Sequence, residues 1–163
     1  MGTDFNSIGK GSVSTLGIDF IQSIIAEYRD NQFKFSTENL GFEDARSIWF
    51  DLPTLKNFIA EVENQAKLDN PELTDADLGV RMYFGAYPDN LPDGIIPEEY
   101  KKRHTLVMIP TKKENTEDGE TYNQDFHSEG SSATARFALS TQAVLALNHG
   151  TLSPPEKPQG ELY

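Results

Sequence analysis

LGVRMYFGAYP, residues 78–88, is the stretch that decides the fold class. Val80, Met82, Phe84 and Ala86 alternate with Arg81, Tyr83, Gly85 and Tyr87. A period of two is that of a β-strand, here with one apolar face and one polar-aromatic face. The apolar face has to be covered by something, and the rest of the chain supplies candidates on both sides.

Downstream, HTLVMIPT at residues 104–111 reads as a second strand that Pro110 either ends or confines to an edge. Residues 112–132 are polar and acidic and predict a hairpin or loop, with only Tyr122 and Phe126 large enough to bury. TARFALS at 134–140 predicts one more strand, and TQAVLALNHG at 141–150 a short helix ending at Gly150. Upstream, Leu16, Phe20, Ile21, Ile24, Ile25 and Tyr28 fall at helical spacing behind Ser14 and Thr15, so residues 14–30 predict a helix with a buried stripe, stopped by Asp30 and Asn31. SIWF at 47–50 predicts a short strand. Asp51 then reads as an N-cap with Pro53 in the first turn, opening a helix to about residue 67 whose stripe is Leu52, Leu55, Phe58, Ile59 and Val62.

Two helices followed by strands whose connections are too short or irregular for crossover helices predict an α+β fold: an antiparallel sheet of three or more strands with two main helices packed on one face. The 163 residues suit a single domain. We expect it over residues 14–150, between a flexible Gly/Ser-rich lead at 1–13 and a Pro-rich, extended tail at 151–163.

Charge narrows the partners. With 26 acidic against 14 basic residues the formal charge is -12, which disfavours nucleic acid and anionic membrane surfaces as partners. There is no cysteine, which removes disulfides, thiolate metal sites and cysteine nucleophiles. No apolar run has the length of a membrane span and the first residues do not resemble a signal peptide, so the expected location is the cytoplasm.

Motifs for chemistry are sparse. His104, His127 and His149 have no partner at helical spacing, and no H-E-x-x-H is present, so neither a metal nor another cofactor is expected. No G-x-S-x-G elbow occurs, and Ser128 beside His127 is not a dyad because neighbouring side chains of an extended chain point apart. The acidic pairs Asp75/Asp77, Glu98/Glu99 and Glu117/Asp118 sit in segments that read as solvated loops.

Arg81 is the better candidate. If Val80, Met82 and Phe84 face the helices, Arg81 and Tyr83 stand on the opposite face, where His104, Leu106 and Met108 of a neighbouring strand would lie beside them. A guanidinium among tyrosines offers a bidentate clamp for an anion or carboxylate. The plainer alternative is a surface arginine that stacks on tyrosine and pairs with one of the many acids. The candidate ligand- or partner-binding residues are therefore Arg81, Tyr83, Tyr87, His104 and His149. Two functions stay open: a non-catalytic binding or protein-interaction module recognising an unknown protein or a small anionic ligand, or a small enzyme with an Arg/Tyr/His anion-binding site.

SIWFDLPTLKNFI, GVRMYFGAYP, HTLVMIPT and LNHGTLSPP, in that order, resemble a group of small uncharacterised bacterial proteins. The resemblance spans residues 45–155 and implies a compact bacterial domain, with no activity or site residue to carry over.

Overall fold

A computed structural model describes residues 16–90, 96–126 and 145–155. The strand expected at 134–140, the first residues of the helix expected at 141–150, and His127 lie outside the described residues. The fold is α+β, with two antiparallel sheets and two main helical runs among the described residues.

The first helical run is longer than its sequence pattern suggested. α1 (Ile18–Tyr28) passes through a π-helical turn at Arg29–Phe33 into α2 (Lys34–Leu40), so Asp30 and Asn31 do not end it. Asn31 instead bonds back to the Glu27 carbonyl at 2.9 Å. Gly17, with no side-chain cap, precedes α1, in place of the Ser14 and Thr15 cap expected from sequence. The predicted buried stripe is also corrected. No residue of α1 is buried: Ile21, Ile25 and Tyr28 are half-buried, and Ile24 is 51% exposed. A charge at position 24 would therefore meet water.

α3 (Leu52–Asp69) follows its sequence closely. The Asp51 carboxylate accepts from Thr54 N at 2.8 Å and from Thr54 Oγ1 at 2.6 Å, which caps the helix, and Pro53 occupies the first turn. Its buried positions are Phe58, Val62 and Ala66, spaced by four residues; Leu52 and Ile59 of the expected stripe are exposed.

β2 (Leu78–Ala86), β3 (His104–Asn115) and β4 (Thr121–Asp125) form one antiparallel sheet in the order β2-β3-β4. β3 and β4 form a hairpin whose turn lies within the stretch at 112–132 that reads as a hairpin or loop, described as far as Phe126. Gly119, at φ +82°, adopts the left-handed conformation the turn requires. Met108 of β3 and Phe126, just past β4, pack with Phe58, Val62 and Ala66 of α3 into one core, edged by Leu55, Leu73, Leu78, Leu145 and Leu147. Lys112, on the same side, is buried with its ammonium 2.8 Å from Asp69 and 3.3 Å from Glu114.

Residues 145–150 are not helical. They run along β3, where Met108 and Leu147 exchange backbone hydrogen bonds of 2.9 and 3.1 Å. The chain continues into β5 (Thr151–Ser153), which pairs with β1 (Ser47–Trp49) in a two-stranded antiparallel sheet. The first three residues assigned to the tail from sequence are thus a strand, and Leu152 anchors a second core of Ala45, Tyr87 and Tyr100. Gly150 makes the approach possible. A β-carbon there would lie 2.4 Å from Ile48 Cγ2 and 2.7 Å from Phe50 Cζ. Gly150→Ala is expected to cost about 1–3 kcal/mol through this overpacking. An unchanged urea midpoint would refute that packing.

No described helix is long and apolar enough to cross a membrane.

Candidate functional site

The register of β2 against β3 decides which candidate residues meet. Arg81 pairs with Ile109, Tyr83 with Val107 and Gly85 with Thr105, whereas Met82 pairs with Met108, Phe84 with Leu106 and Ala86 with His104. Directly opposed residues share a face. His104, Leu106 and Met108 therefore lie on the face of Met82 and Phe84, turned away from Arg81 and Tyr83. This corrects the expected neighbourhood: Arg81, Tyr83 and His104 do not converge.

Arg81 reaches across β3 to β4. Its guanidinium donates to Asp125 Oδ1 at 2.5 Å and to the Asn123 carbonyl at 2.7 Å, and lies 3.5 Å from the Tyr83 hydroxyl. Tyr83 in turn donates to the other oxygen of Asp125. The hydrogen bond with Tyr83 and the Asp125 charge both hold the guanidinium protonated. An arginine with its forked donors on a carboxylate and a carbonyl of its own chain ties β2 to β4 across β3.

Tyr87 belongs to a different cluster. It is buried, its ring centroid is 6.0 Å from that of Tyr100, and its hydroxyl donates to Asn148 Oδ1 at 2.6 Å. Asn148 Nδ2 donates to Thr105 Oγ1 at 3.2 Å and to the Leu106 carbonyl at 2.9 Å, so this network fastens residues 145–150 to β3. His149 is exposed and takes no part in it.

His104 has a partner that the sequence concealed. Asp44, in the turn between α2 and β1, has a fully buried side chain, while that of His104 is 48% exposed. The Asp44 carboxylate accepts from Ser36 Oγ of α2, from Ala45 N at 2.7 Å and from His104 N at 2.8 Å, and it contacts His104 Nδ1. Arg103 holds the turn in place, with its Nε 2.7 Å from the Glu99 carbonyl, its NH1 on the Glu43 carbonyl and its guanidinium 5.0 Å above the Phe42 ring. Burial alone would raise the Asp44 carboxyl, but the hydrogen bonds from Ser36, His104 and Ala45 outweigh it and hold the group below the usual aspartate range. An ionised carboxylate only accepts hydrogen bonds, so the contact with Asp44 favours the hydrogen on His104 Nδ1.

The third feature is β2 itself. Among the described residues it is an edge strand, nine residues long, and its apolar side is largely uncovered: Met82 is 56% and Phe84 90% exposed, with Val80 exposed beside them. α3 covers the sheet over Met108 and Phe126 and leaves this flank bare. Among the described residues the backbone is equally open. Met108 directs its N–H and C=O to Leu147, away from β2. Its partner Met82 therefore sits at a non-hydrogen-bonded position of the β2–β3 ladder and points its own N–H and C=O outward. By alternation Val80 and Phe84 do the same.

Among the described residues no group of three or more His, Asp or Glu is arranged to hold a metal ion. No family model, curated protein or solved structure matches the chain.

Proposed function

We propose that this chain is a bacterial, cytoplasmic, non-catalytic interaction module that binds another protein through β2. The observation that carries the reading is the conjunction on one strand of outward backbone groups, unpaired among the described residues, with exposed Val80, Met82 and Phe84. Native sheets blunt such edges with Lys, Pro, bulges or covering segments, because an open edge recruits another strand. β2 has no Lys and no Pro, and Arg81, its one charged residue, is engaged with Asp125. Pairing by strand addition supplies affinity through the backbone and selectivity through the side chains that alternate along it. The recognised surface is thus the apolar flank and edge of the strand that bears Arg81, with Arg81 stiffening it from the other face.

The test is capture from native cells with wild-type and Met82→Lys baits. A lysine in the middle of the edge is expected to remove the bound partner while, the site being exposed, the unfolding free energy stays within about 0.5 kcal/mol of wild type. Equal recovery by both baits would refute the reading.

A second reading, a small enzyme using His104, is favoured by the Asp44 contact alone. A buried carboxylate on Nδ1 orients an imidazole to accept a proton through Nε2. Arg81 and Tyr83 have no place in that chemistry, being on the other face of the sheet. Nitrogen chemical shifts of His104 that reported the hydrogen on Nε2 would remove this reading.

A further inference from the structure

The β2 sequence is symmetric in residue character about its own midpoint. Met82 is the central residue of Leu78–Ala86, and moving outward from it the pairs are Arg81 with Tyr83, Val80 with Phe84, Gly79 with Gly85 and Leu78 with Ala86. Arg81 and Tyr83 are both turned inward to Asp125, and the other pairs match in kind, apolar with apolar and glycine with glycine. A strand that meets a second copy of itself antiparallel, about a twofold axis at Met82, places these partners directly opposite one another.

The backbone geometry fits that axis. Val80, Met82 and Phe84 all turn their N–H and C=O groups outward, since Met108 spends its own on Leu147. Met82 facing Met82 of the second copy is then a hydrogen-bonded pair in which the two residues exchange both bonds, and Val80 facing Phe84 continues the ladder at each end. The nine-residue ladder would be about 30 Å long. Charge is also accommodated. In a chain of formal charge -12, Leu78–Ala86 contains no acid and one arginine, so this edge is where two copies approach with little like-charge repulsion. Arg81 and Tyr83 lean inward to Asp125 of β4, so neither blocks the outer edge.

We propose that β2 pairs antiparallel with β2 of a second copy about a twofold axis at Met82, joining two three-stranded sheets into one continuous sheet. The inference rests on the reading of β2 as the docking element and names what docks there. Val80 and Phe84 of the two copies cover each other across the axis, and the bare flank beside α3 becomes the centre of the interface.

Sedimentation equilibrium tests it with two double variants. Wild type is expected at twice the 18.2 kDa chain mass, falling toward the single mass on dilution. Val80→Lys with Phe84→Lys puts lysine opposite lysine at both ends and is expected at the single mass. Val80→Lys with Phe84→Glu puts lysine opposite glutamate at both ends and is expected to restore the doubled mass. Both substituted side chains are exposed, and matching melting curves confirm that the variants fold. A covalent check uses the absence of cysteine from the chain. Under oxidised glutathione, Met82→Cys is expected to form a disulfide-linked pair, its Cα atoms being about 5.5 Å apart across the axis. Phe84→Cys alone is not, because the two copies of that position stand about 13 Å apart along the ladder.

A single mass for wild type at every concentration overturns the inference, as does a doubled mass for the double-lysine variant or a cross-link at position 84 in place of 82. If wild type is monomeric and Met82→Lys still abolishes capture of a different protein, only the second copy is refuted and the docking reading stands. If the capture is indifferent as well, both fall.

Discussion

Phe126→Ala is expected to lower the unfolding free energy by about 3–5 kcal/mol, the usual cost of emptying a buried phenylalanine site. Phe126 is 3% exposed and packs with Phe58, Val62, Ala66 and Met108, the side chains that join α3 to the sheet. Its N–H donates to the Pro110 carbonyl at 3.1 Å, and the Lys112 ammonium lies 5.9 Å from its ring centroid. The segment therefore holds a core anchor in a stretch whose composition suggests only a solvated connection. Shortening residues 112–132 to a Gly/Ser link would take the anchor away with the loop. Tyr122→Ala, at an exposed position of the same hairpin, is the matched control and should stay within about 0.5 kcal/mol. Urea denaturation reads both; a Phe126→Ala midpoint as close to wild type as that of Tyr122→Ala would contradict the packing.

Asp44→Ala is expected to be nearly as damaging, at about 3 kcal/mol or more, because it leaves buried donors without an acceptor at about 1–3 kcal/mol each, with incomplete additivity. Ser36 Oγ, Ala45 N and His104 N all donate to this carboxylate. The loss carries a pH signature. The folded-state pKa of Asp44 is depressed, so its ionisation contributes stability that is fully present above the unfolded value and is lost as pH falls through the folded one. The stability difference between wild type and Asp44→Asn should therefore be largest at neutral pH and shrink on acidification below the ordinary aspartate range. Unfolding curves across that range check it. A difference independent of pH would mean that the Asp44 charge is not what the three donors hold.

Much of the scaffold is legible in the sequence because it depends on local chemistry. The Asp51 cap, Pro53 and the four-residue spacing of Phe58 and Val62 define α3 without reference to the rest of the chain. The alternation in residues 78–88 identifies β2 equally well. What alternation cannot supply is register. A shift of one residue exchanges the faces of a strand, so His104 could be placed beside Arg81 or away from it with the same two sequences. The pairing of Ala86 with His104 settles it. The site of His104 was out of reach for a related reason: Asp44 and His104 are 60 residues apart in the chain, and an acid in GFEDARS carries no spacing signal. Asp30 and Asn31 conceal the length of the first helical run, because they are poor interior residues by propensity and a π-helical turn accommodates them. Spacing alone identifies the apolar stripe of α1 and the apolar face of β2. Their burial was inferred from the same pattern, and neither is fully covered among the described residues.

That uncovered face of β2 is the centre of the functional account, and residue-resolved amide hydrogen exchange tests it most directly. In dilute protein the N–H groups of Arg81, Tyr83 and Gly85, which face β3, should exchange slowly, while those of Val80, Met82 and Phe84, which face outward, should exchange rapidly. Raising the concentration should slow exchange at Val80, Met82 and Phe84 and leave the other three unchanged. Slow exchange at all six positions in the dilute monomer would mean that the edge is already occupied within the chain, and would contradict the account.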